Sequence, residues 1–191
     1  NKVYKKGEDK HFTSFVTKGT TTDEIKEVLK ELNWKNKSVL DVGCGTGLFA
    51  HKVLKLGPKQ VLGIDFSKEA IEIATKTHKN HNLQYQVLDV KEIKSKYDVI
   101  VSLGTLEHMD NPLKTLKILK KHLTKNGKII VTSPNWTNPR GYILMTLWHL
   151  FNAPITLADL HYQTPIDFQN YAKKLDMRLK WRTIDRSWAS G

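Results

Sequence analysis

Short apolar runs that alternate with amphipathic stretches are the feature that most limits the folds open to this chain. Strands are predicted at 38–42, 60–65, 84–88, 97–103, 128–132 and 177–184. Helices are predicted at 22–32, 47–56, 68–79, 112–123, 142–151 and 165–175. Strands that are separated by helices at this spacing pair in parallel, since each helix returns the chain to the edge where the strands begin. The pattern predicts an α/β fold, with a mostly parallel sheet and helices on both faces.

The length and the single cysteine narrow the class of protein. The 191 residues are enough for one domain whose core needs no disulfide, and Cys44 has no second cysteine to pair with. No apolar run reaches about 18 residues, so no membrane span is predicted. The first residues also lack the apolar core of a secretory signal. These features predict a cytoplasmic protein.

The charge balance is strongly basic, with 31 Lys and Arg against 19 Asp and Glu and a formal net charge of +12. Such a charge attracts anionic partners, including nucleic acids. The lysines are scattered over many segments, however, and no dense basic run with interleaved aromatic residues stands out. The sequence therefore favours a solvated lysine surface over a dedicated nucleic-acid-binding face. A nucleic-acid partner remains an alternative.

A glycine-rich turn, Asp41-Val-Gly-Cys-Gly-Thr-Gly47, joins the first predicted strand to the following helix. Its segment 45–50 satisfies the permissive dinucleotide pattern G-x-G-x-x-A, which is weak evidence alone. Asp41 would repel a pyrophosphate, because both are anionic. A cationic ligand without phosphate, such as the sulfonium and ammonium of S-adenosylmethionine, suits this carboxylate better. Cys44 is interpreted as a small residue that fills the turn, not as a nucleophile.

From the glycine turn onwards, the sequence resembles class I S-adenosylmethionine-dependent methyltransferases, and most closely their ubiquinone-pathway and small-molecule group. Segments 61–67 (VLGIDFS), 87–90 (VLDV), 97–112 and 123–135 are similar to the later motifs, in the same order. The resemblance implies a Rossmann-like, doubly wound sheet of six or seven strands. It also implies S-adenosylmethionine as cofactor and S-adenosylhomocysteine as product.

The resemblance also implies which residues hold the cofactor. Asp65 would accept hydrogen bonds from both ribose hydroxyls, Phe66 would pack on the adenine, and Asp89 would accept from the adenine amino group. The full predicted cofactor set is Asp41, Gly43, Cys44, Gly45, Gly47, Asp65, Phe66, Asp89, Val90, Leu103 and Gly104. A nicotinamide-dependent enzyme is the least favoured interpretation, because the second motif does not match the one that such enzymes carry.

The acceptor would meet the methyl group after the fourth strand, at the segment that contains Glu107 and His108. Related enzymes carry E-x-x-E-H there, which binds a divalent metal together with a downstream histidine, here His161. The first glutamate of that motif is replaced by Gly104, so metal binding is possible but not favoured. Glu107, His108 and His161 are predicted as catalytic residues that remove a proton from the acceptor or orient it.

The chain is interpreted as one methyltransferase domain. Residues 1–37 would form a lid and helix, 38–135 the cofactor-binding core, 136–163 an insertion over the substrate site, and 164–191 a final helix and strand. The family's seventh strand has no counterpart, which suggests truncation or completion by another chain; the oligomeric state is unknown. A small-molecule O- or N-methyltransferase is the leading functional prediction. An RNA 2′-O-methyltransferase and a non-catalytic binding module remain alternatives.

Overall fold

A computed structural model of the chain describes residues 20–137, 139–153 and 159–184, without the side chains of 20–22 and 140. Two compact units are present. One comprises residues 31–133, and the other contains the described residues of 20–30 and 134–184. We call them the sheet unit and the helical unit, and each is described by itself. The prediction of a single domain, with its four segments, stays a prediction.

Five parallel strands form the sheet unit, in the order β3-β2-β1-β4-β5. Their bounds are β1 Ser38–Val42, β2 Gln60–Asp65, β3 Leu83–Val87, β4 Tyr97–Leu103 and β5 Leu123–Thr132. The strand order reverses at β1, which has β2 on one side and β4 on the other. In such sheets ligands bind at this reversal, beyond the carboxyl ends of the strands. The predicted doubly wound α/β fold is confirmed, with five described strands instead of six or seven.

Helices follow the predicted pattern closely. Their bounds are α1 Thr20–Lys30, α2 Leu48–Val53, α3 Lys68–Thr77, α4 Pro112–Lys121, α5 Pro139–Phe151 and α6 Pro165–Lys174. Ser67 caps the amino end of α3, where its hydroxyl accepts a hydrogen bond from the Ala70 amide at 3.1 Å. Asn111 caps α4 in the same way and is followed by proline at the first helical position. Three 3₁₀ turns lie at Leu54–Leu56, Val90–Glu92 and Leu106–His108.

The core of the sheet unit is apolar and centred on β1, all five residues of which are buried. Leu40, Val42, Ile64 and Ile100 form one cluster with Leu119 of α4. β1 is a central strand covered on both faces, and it therefore reads as a nearly continuous apolar run. Asp41 is the charged residue within this run, and its burial makes it a candidate for function.

One carboxylate joins the starts of three strands. Asp98 of β4 accepts hydrogen bonds from the Ser38 amide at 2.9 Å and the Ser38 hydroxyl at 2.8 Å, both on β1. It also accepts from the Thr124 hydroxyl of β5 at 2.9 Å. These donors stabilise the charged form and hold the pKa of Asp98 below its ordinary value, with the Ser38 amide as the largest cause. Asp98 thereby joins β1, β4 and β5 at their amino ends.

The predicted sixth strand, Met177–Ile184, is wrong: this segment has no strand pairing in the structure. Most of its side chains are exposed, and Arg178, Lys180 and Arg182 alternate along it. Without a buried apolar face, little free energy favours docking the segment onto a sheet. Arg182 instead pairs with Glu27 of α1 at 3.1 Å.

Helix α5 is apolar all round, and many of its large side chains are exposed, among them Tyr142, Trp148, Leu150 and Phe151. The predicted apolar helix at 142–151 is therefore present and begins earlier, at Pro139. None of the described helices has the length and apolarity that crossing a bilayer requires.

Candidate functional site

The glycine turn predicted from the sequence lies at the carboxyl end of β1. Gly43, Gly45 and Gly47 have φ angles of 71°, 50° and 84°, in the left-handed region that side chains other than glycine rarely adopt. The amides of Gly43 and Cys44 donate to the Ile64 carbonyl at 2.8 and 3.0 Å. The turn is thus anchored to β2, the neighbouring strand, before it enters α2.

Asp65 ends β2 with its carboxylate against the glycine turn. One oxygen accepts from the Gly45 amide and the other from the Ser67 amide, each at 2.9 Å. A carboxylate oxygen has two lone pairs, so each can accept a further hydrogen bond. Asp65 is therefore held at the sheet's carboxyl edge with acceptor capacity left for a ligand.

Asp41 is a buried carboxylate beneath the turn, with 2% of its surface exposed. Burial is the main cause that raises its pKa to about 7, and the nearby charge of Asp65 adds to the rise. A hydrogen bond from the Ala50 amide, in the first turn of α2, acts in the opposite direction. Among the described residues, no group hydrogen-bonds to Oδ2 of Asp41. A buried acceptor of this kind, with a second carboxylate nearby, suits a cationic ligand and disfavours a phosphate.

Two protein side chains account for the need for glycine in the turn. A Cβ atom on Gly43 would collide with the Thr105 side chain, and one on Gly47 would collide with the Tyr85 hydroxyl. Thr105 donates to the Leu103 carbonyl at 2.9 Å and so stays fixed beside the end of β4. The sequence predicted Thr105 only as part of the segment at the end of the fourth strand, without its contact with Gly43. It did not predict Tyr85, which belongs to no local motif.

Tyr85 of β3 reaches the glycine turn across its neighbour β2. It pairs in register with Gly63, and a Cβ atom on Gly63 would lie 2.7 Å from the tyrosine ring. Its hydroxyl donates to the Gly47 carbonyl at 3.1 Å. Burial raises the pKa of Tyr85, and the neighbouring Cys44 and Asp41 raise it further, so the hydroxyl keeps its proton. A glycine inside a strand often marks such a close approach, and Gly63 was therefore the available signal.

The predicted adenine contacts lie near the ends of β2 and β3. Phe66 exposes 62% of its surface, while Val90 is half-buried against the core cluster. Asp89 caps the 3₁₀ turn Val90–Glu92 and accepts from the Lys91 amide at 2.8 Å. Cys44 is a buried thiol within the turn, in agreement with a filling role. These residues lie at one edge, but their contacts with a cofactor stay predictions.

The predicted catalytic segment lies directly after β4. Gly104 has a φ of 54° and its amide donates to the Thr132 hydroxyl at 3.0 Å. The next turn contains Glu107, which is 2% exposed, and the half-buried His108. Burying a glutamate costs free energy unless its charge is paired, hydrogen-bonded or neutralised by a proton. The structure thus places Leu103, Gly104, Glu107 and His108 at the end of one strand.

His161 belongs to the helical unit. Near it, the Trp136 indole donates to Asp159 at 3.1 Å and packs edge-on against Tyr162, with ring centroids 4.9 Å apart. Burial raises the pKa of Tyr162, and the charge of Asp159 raises it further. Residues 134–163 therefore contain a folded polar and aromatic cluster. A joint role of His161 with Glu107 and His108, with or without a metal, stays a prediction.

Comparison with known proteins decides the family. The sequence matches the family described as a methyltransferase domain over residues 33–186. The chain belongs to this family. It is a methyltransferase domain of the S-adenosylmethionine-dependent kind. The buried Asp41 oxygen, the left-handed glycines and the remaining acceptor capacity of Asp65 fit this cationic cofactor.

Three similar proteins illustrate the family. This methyltransferase is 32% identical over 173 residues to a ubiquinone biosynthesis O-methyltransferase from Pelagibacter ubique, with 81% of this chain and 69% of that protein covered. It is 37% identical over 107 residues to a tRNA U34 carboxymethyltransferase from Campylobacter fetus, with 52% and 37% covered. The magnesium protoporphyrin IX methyltransferase of Synechocystis, solved with S-adenosylhomocysteine, has a TM-score of 0.68 at 17% identity, with 84% and 78% covered. The chain thus spans little more than a third of the tRNA enzyme.

Proposed function

We propose that this methyltransferase transfers the methyl group to a hydroxyl oxygen of a small-molecule acceptor. The extent of the match to the ubiquinone biosynthesis O-methyltransferase carries the proposal. That match covers 81% of the chain and must extend beyond the sheet unit, whereas the match to the tRNA enzyme covers 52%. Acceptor specificity depends on residues outside the cofactor-binding core, so the longer similarity is the more informative one.

In this proposal, the glycine turn and the ends of β2 and β3 hold the cofactor. Asp65 accepts from the ribose hydroxyls, and Asp41 supplies negative charge toward the cationic part of the molecule. Phe66, Val90 and Asp89 contact the adenine. The turn's anchoring to β2 and the remaining acceptor capacity of Asp65 support these roles, while Gly43 and Gly47 make room for the Thr105 and Tyr85 side chains.

For a hydroxyl acceptor, the protein must align the oxygen and remove its proton. We assign proton removal to His108, because an imidazole nitrogen can accept a proton and this residue lies in the turn that follows β4. Glu107 is assigned to orienting the acceptor or His108, and His161 to orienting the acceptor. Residues 136–163 would contribute to the acceptor site, and the exposed aromatic side chains of α5 support an apolar or ring-bearing acceptor.

The proposal is tested by measuring S-adenosylhomocysteine formation with a panel of phenols, catechols and amines. Methyl transfer to a phenolic oxygen is expected, and His108→Ala and His161→Ala should lower kcat by about 100-fold or more, as expected for loss of a catalytic base or of acceptor alignment. Cofactor affinity should change little in both variants, which separates catalysis from folding. Product that forms with amines alone would refute the oxygen assignment.

A second candidate is methyl transfer to RNA, which the similarity to the tRNA enzymes of several Campylobacter species favours. The same assay distinguishes the two, with unmodified tRNA as the acceptor. Product with tRNA but with no member of the small-molecule panel would replace the first proposal. The sequence allows a divalent metal at this site without favouring it. Adding a chelator to the productive reaction tests whether such a metal takes part.

A further inference from the structure

Lysines that are far apart in the sequence meet at one edge of the sheet unit. Because all five strands are parallel, they begin at the same edge, opposite the cofactor. Lys37, Lys59 and Lys96 directly precede β1, β2 and β4, while His81 and Lys121 lie two residues before β3 and β5. All five side chains are exposed. We call these five residues, with Lys35, Lys94 and Lys125 beside them, the amino-edge surface.

Hydrogen bonds between the loops hold this surface together. The Lys59 amide donates to the Lys37 carbonyl at 2.8 Å, which joins the loops before β1 and β2. The Tyr97 amide donates to the His122 carbonyl at 2.8 Å, and the His122 ring contacts the Ser95 carbonyl at 2.9 Å. These contacts join the loops before β4 and β5. With neighbouring strands about 4.8 Å apart, the five loops form a fixed band about 20 Å long.

The positive charge of this band is poorly compensated. Four lysines elsewhere in the described chain form ion pairs, namely Lys26 with Asp23, Lys30 with Glu27, Lys68 with Glu72 and Lys91 with Asp89. Among the described residues, no ion pair is recorded for the lysines of the amino-edge surface. The acidic residues closest along the chain are Glu31, Glu92 and Asp98. The charge of Asp98 interacts with Lys37, but this carboxylate also accepts three hydrogen bonds at the strand starts and offsets only part of the positive charge.

Helix dipoles explain only part of this pattern. Lys121 lies in the last turn of α4, where a positive charge stabilises the helix carboxyl end. Lys37 and Lys59 directly precede strands, and Lys94 and Lys96 lie in a loop that follows no α-helix. None of these four lysines lies in the last turn of a described α-helix. Their charge is therefore available to a partner outside the fold.

We propose that the amino-edge surface binds the phosphate backbone of RNA. The loops at this edge carry lysine, asparagine, serine and histidine, and the nearest exposed aliphatic side chain along the chain is Leu56. A membrane-binding surface presents apolar and aromatic side chains that enter the bilayer, and these loops offer none. Phosphate recognition needs only spaced cations and polar groups. The proposal goes beyond the acceptor chemistry and does not depend on it.

The test is salt-dependent binding of a fluorescent single-stranded RNA to the whole chain. The variant combines Lys37→Gln, Lys59→Gln, Lys94→Gln and Lys96→Gln. Its matched control combines Lys26→Gln, Lys68→Gln, Lys76→Gln and Lys117→Gln, which removes the same net charge elsewhere. The slope of log affinity against log salt should decrease in magnitude by about 3 in the first variant, because each lost phosphate contact contributes about 0.7. In the control it should change by less than about 1.

Cofactor affinity, measured by calorimetry, should be unchanged in both variants, because the surface lies at the edge opposite the glycine turn. If the quadruple variant does not fold, Lys96→Gln alone should still reduce the slope by about 0.7. An equal decrease of the salt slope in variant and control would overturn the proposal. An absence of RNA binding by the unaltered chain would do the same. Tighter binding to phosphatidylglycerol vesicles than to RNA would also overturn it. None of these three results would affect the proposed methyl transfer, which is measured separately.

Discussion

Replacing Asp41 by asparagine should remove a pH dependence from the stability of the cofactor-free protein. The carboxyl group is buried and its pKa is raised from 3.8 to about 7. Since burial favours the protonated form, Asp41 contributes stability that is fully present below about pH 4 and is lost as the pH rises to about 7. The shift corresponds to about 4 kcal/mol of unfolding free energy over this range.

Urea unfolding at several pH values between 4 and 8 measures this effect. Tryptophan fluorescence is a suitable signal, because Trp34 is buried and packs edge-on against Phe49 of α2. The stability difference between the unaltered protein and Asp41→Asn should change by several kcal/mol in favour of the variant as the pH rises from 4 to 7. Comparing the pH dependence, instead of absolute stabilities, removes the constant cost of burying an amide.

Asp98→Asn is the control with the opposite sign. The pKa of Asp98 is lowered, mainly by the Ser38 amide, so its contribution is present at neutral pH and is lost on acidification. Saturating S-adenosylmethionine should reduce the pH dependence due to Asp41, because a cation nearby restores the charged form. A stability difference for Asp41→Asn that does not change between pH 4 and 8 would refute the interpretation of this carboxylate.

Further predictions concern the residues around the glycine turn. Asp65→Ala should weaken S-adenosylmethionine binding by at least about tenfold in calorimetry, because ionic acceptors contribute about 1.5 kcal/mol or more, with Asp65→Asn intermediate. Tyr85→Phe should lower the unfolding free energy by about 1 kcal/mol in urea, through loss of the hydrogen bond to Gly47; a neutral effect would mean that the bond is unimportant. Gly47→Ala should cost about 2 kcal/mol or more in the same assay, because it combines a left-handed φ with a collision at Tyr85. A Gly47→Ala protein of normal stability would contradict the described turn.

The sequence was most informative where burial was complete. The bounds of β1, β2 and β4 agree with the predicted ones, because these strands are continuous apolar runs between turn residues. β5 begins at Leu123, five residues earlier than predicted. The segment Asn126-Gly127, which resembles a turn, is absorbed into the strand beside an irregular register between Tyr97 and Val99. The predicted sixth strand failed because alternation alone does not supply a buried face.

For the site, the sequence predicted the residues of the glycine turn and the strand-end aspartates, because their spacing along the chain is their signature. It did not predict Tyr85 or the contact of Thr105 with Gly43, because both depend on glycines far away in sequence. The lysines of the amino-edge surface were interpreted as scattered for the same reason. Only the parallel topology, which brings the start of every strand to one edge, shows that they are neighbours.

The reach of Tyr85 across Gly63 has a consequence for how this protein acquires activity during synthesis. The glycine turn is complete in sequence once α2 has formed, yet its carbonyl at Gly47 is held by a residue of the third strand. A nascent chain that ends before residue 85 therefore lacks the hydrogen bond that holds the Gly47 carbonyl. Cofactor binding should begin only when β3 has paired with the sheet. Chains too short to include β3 should not bind S-adenosylmethionine.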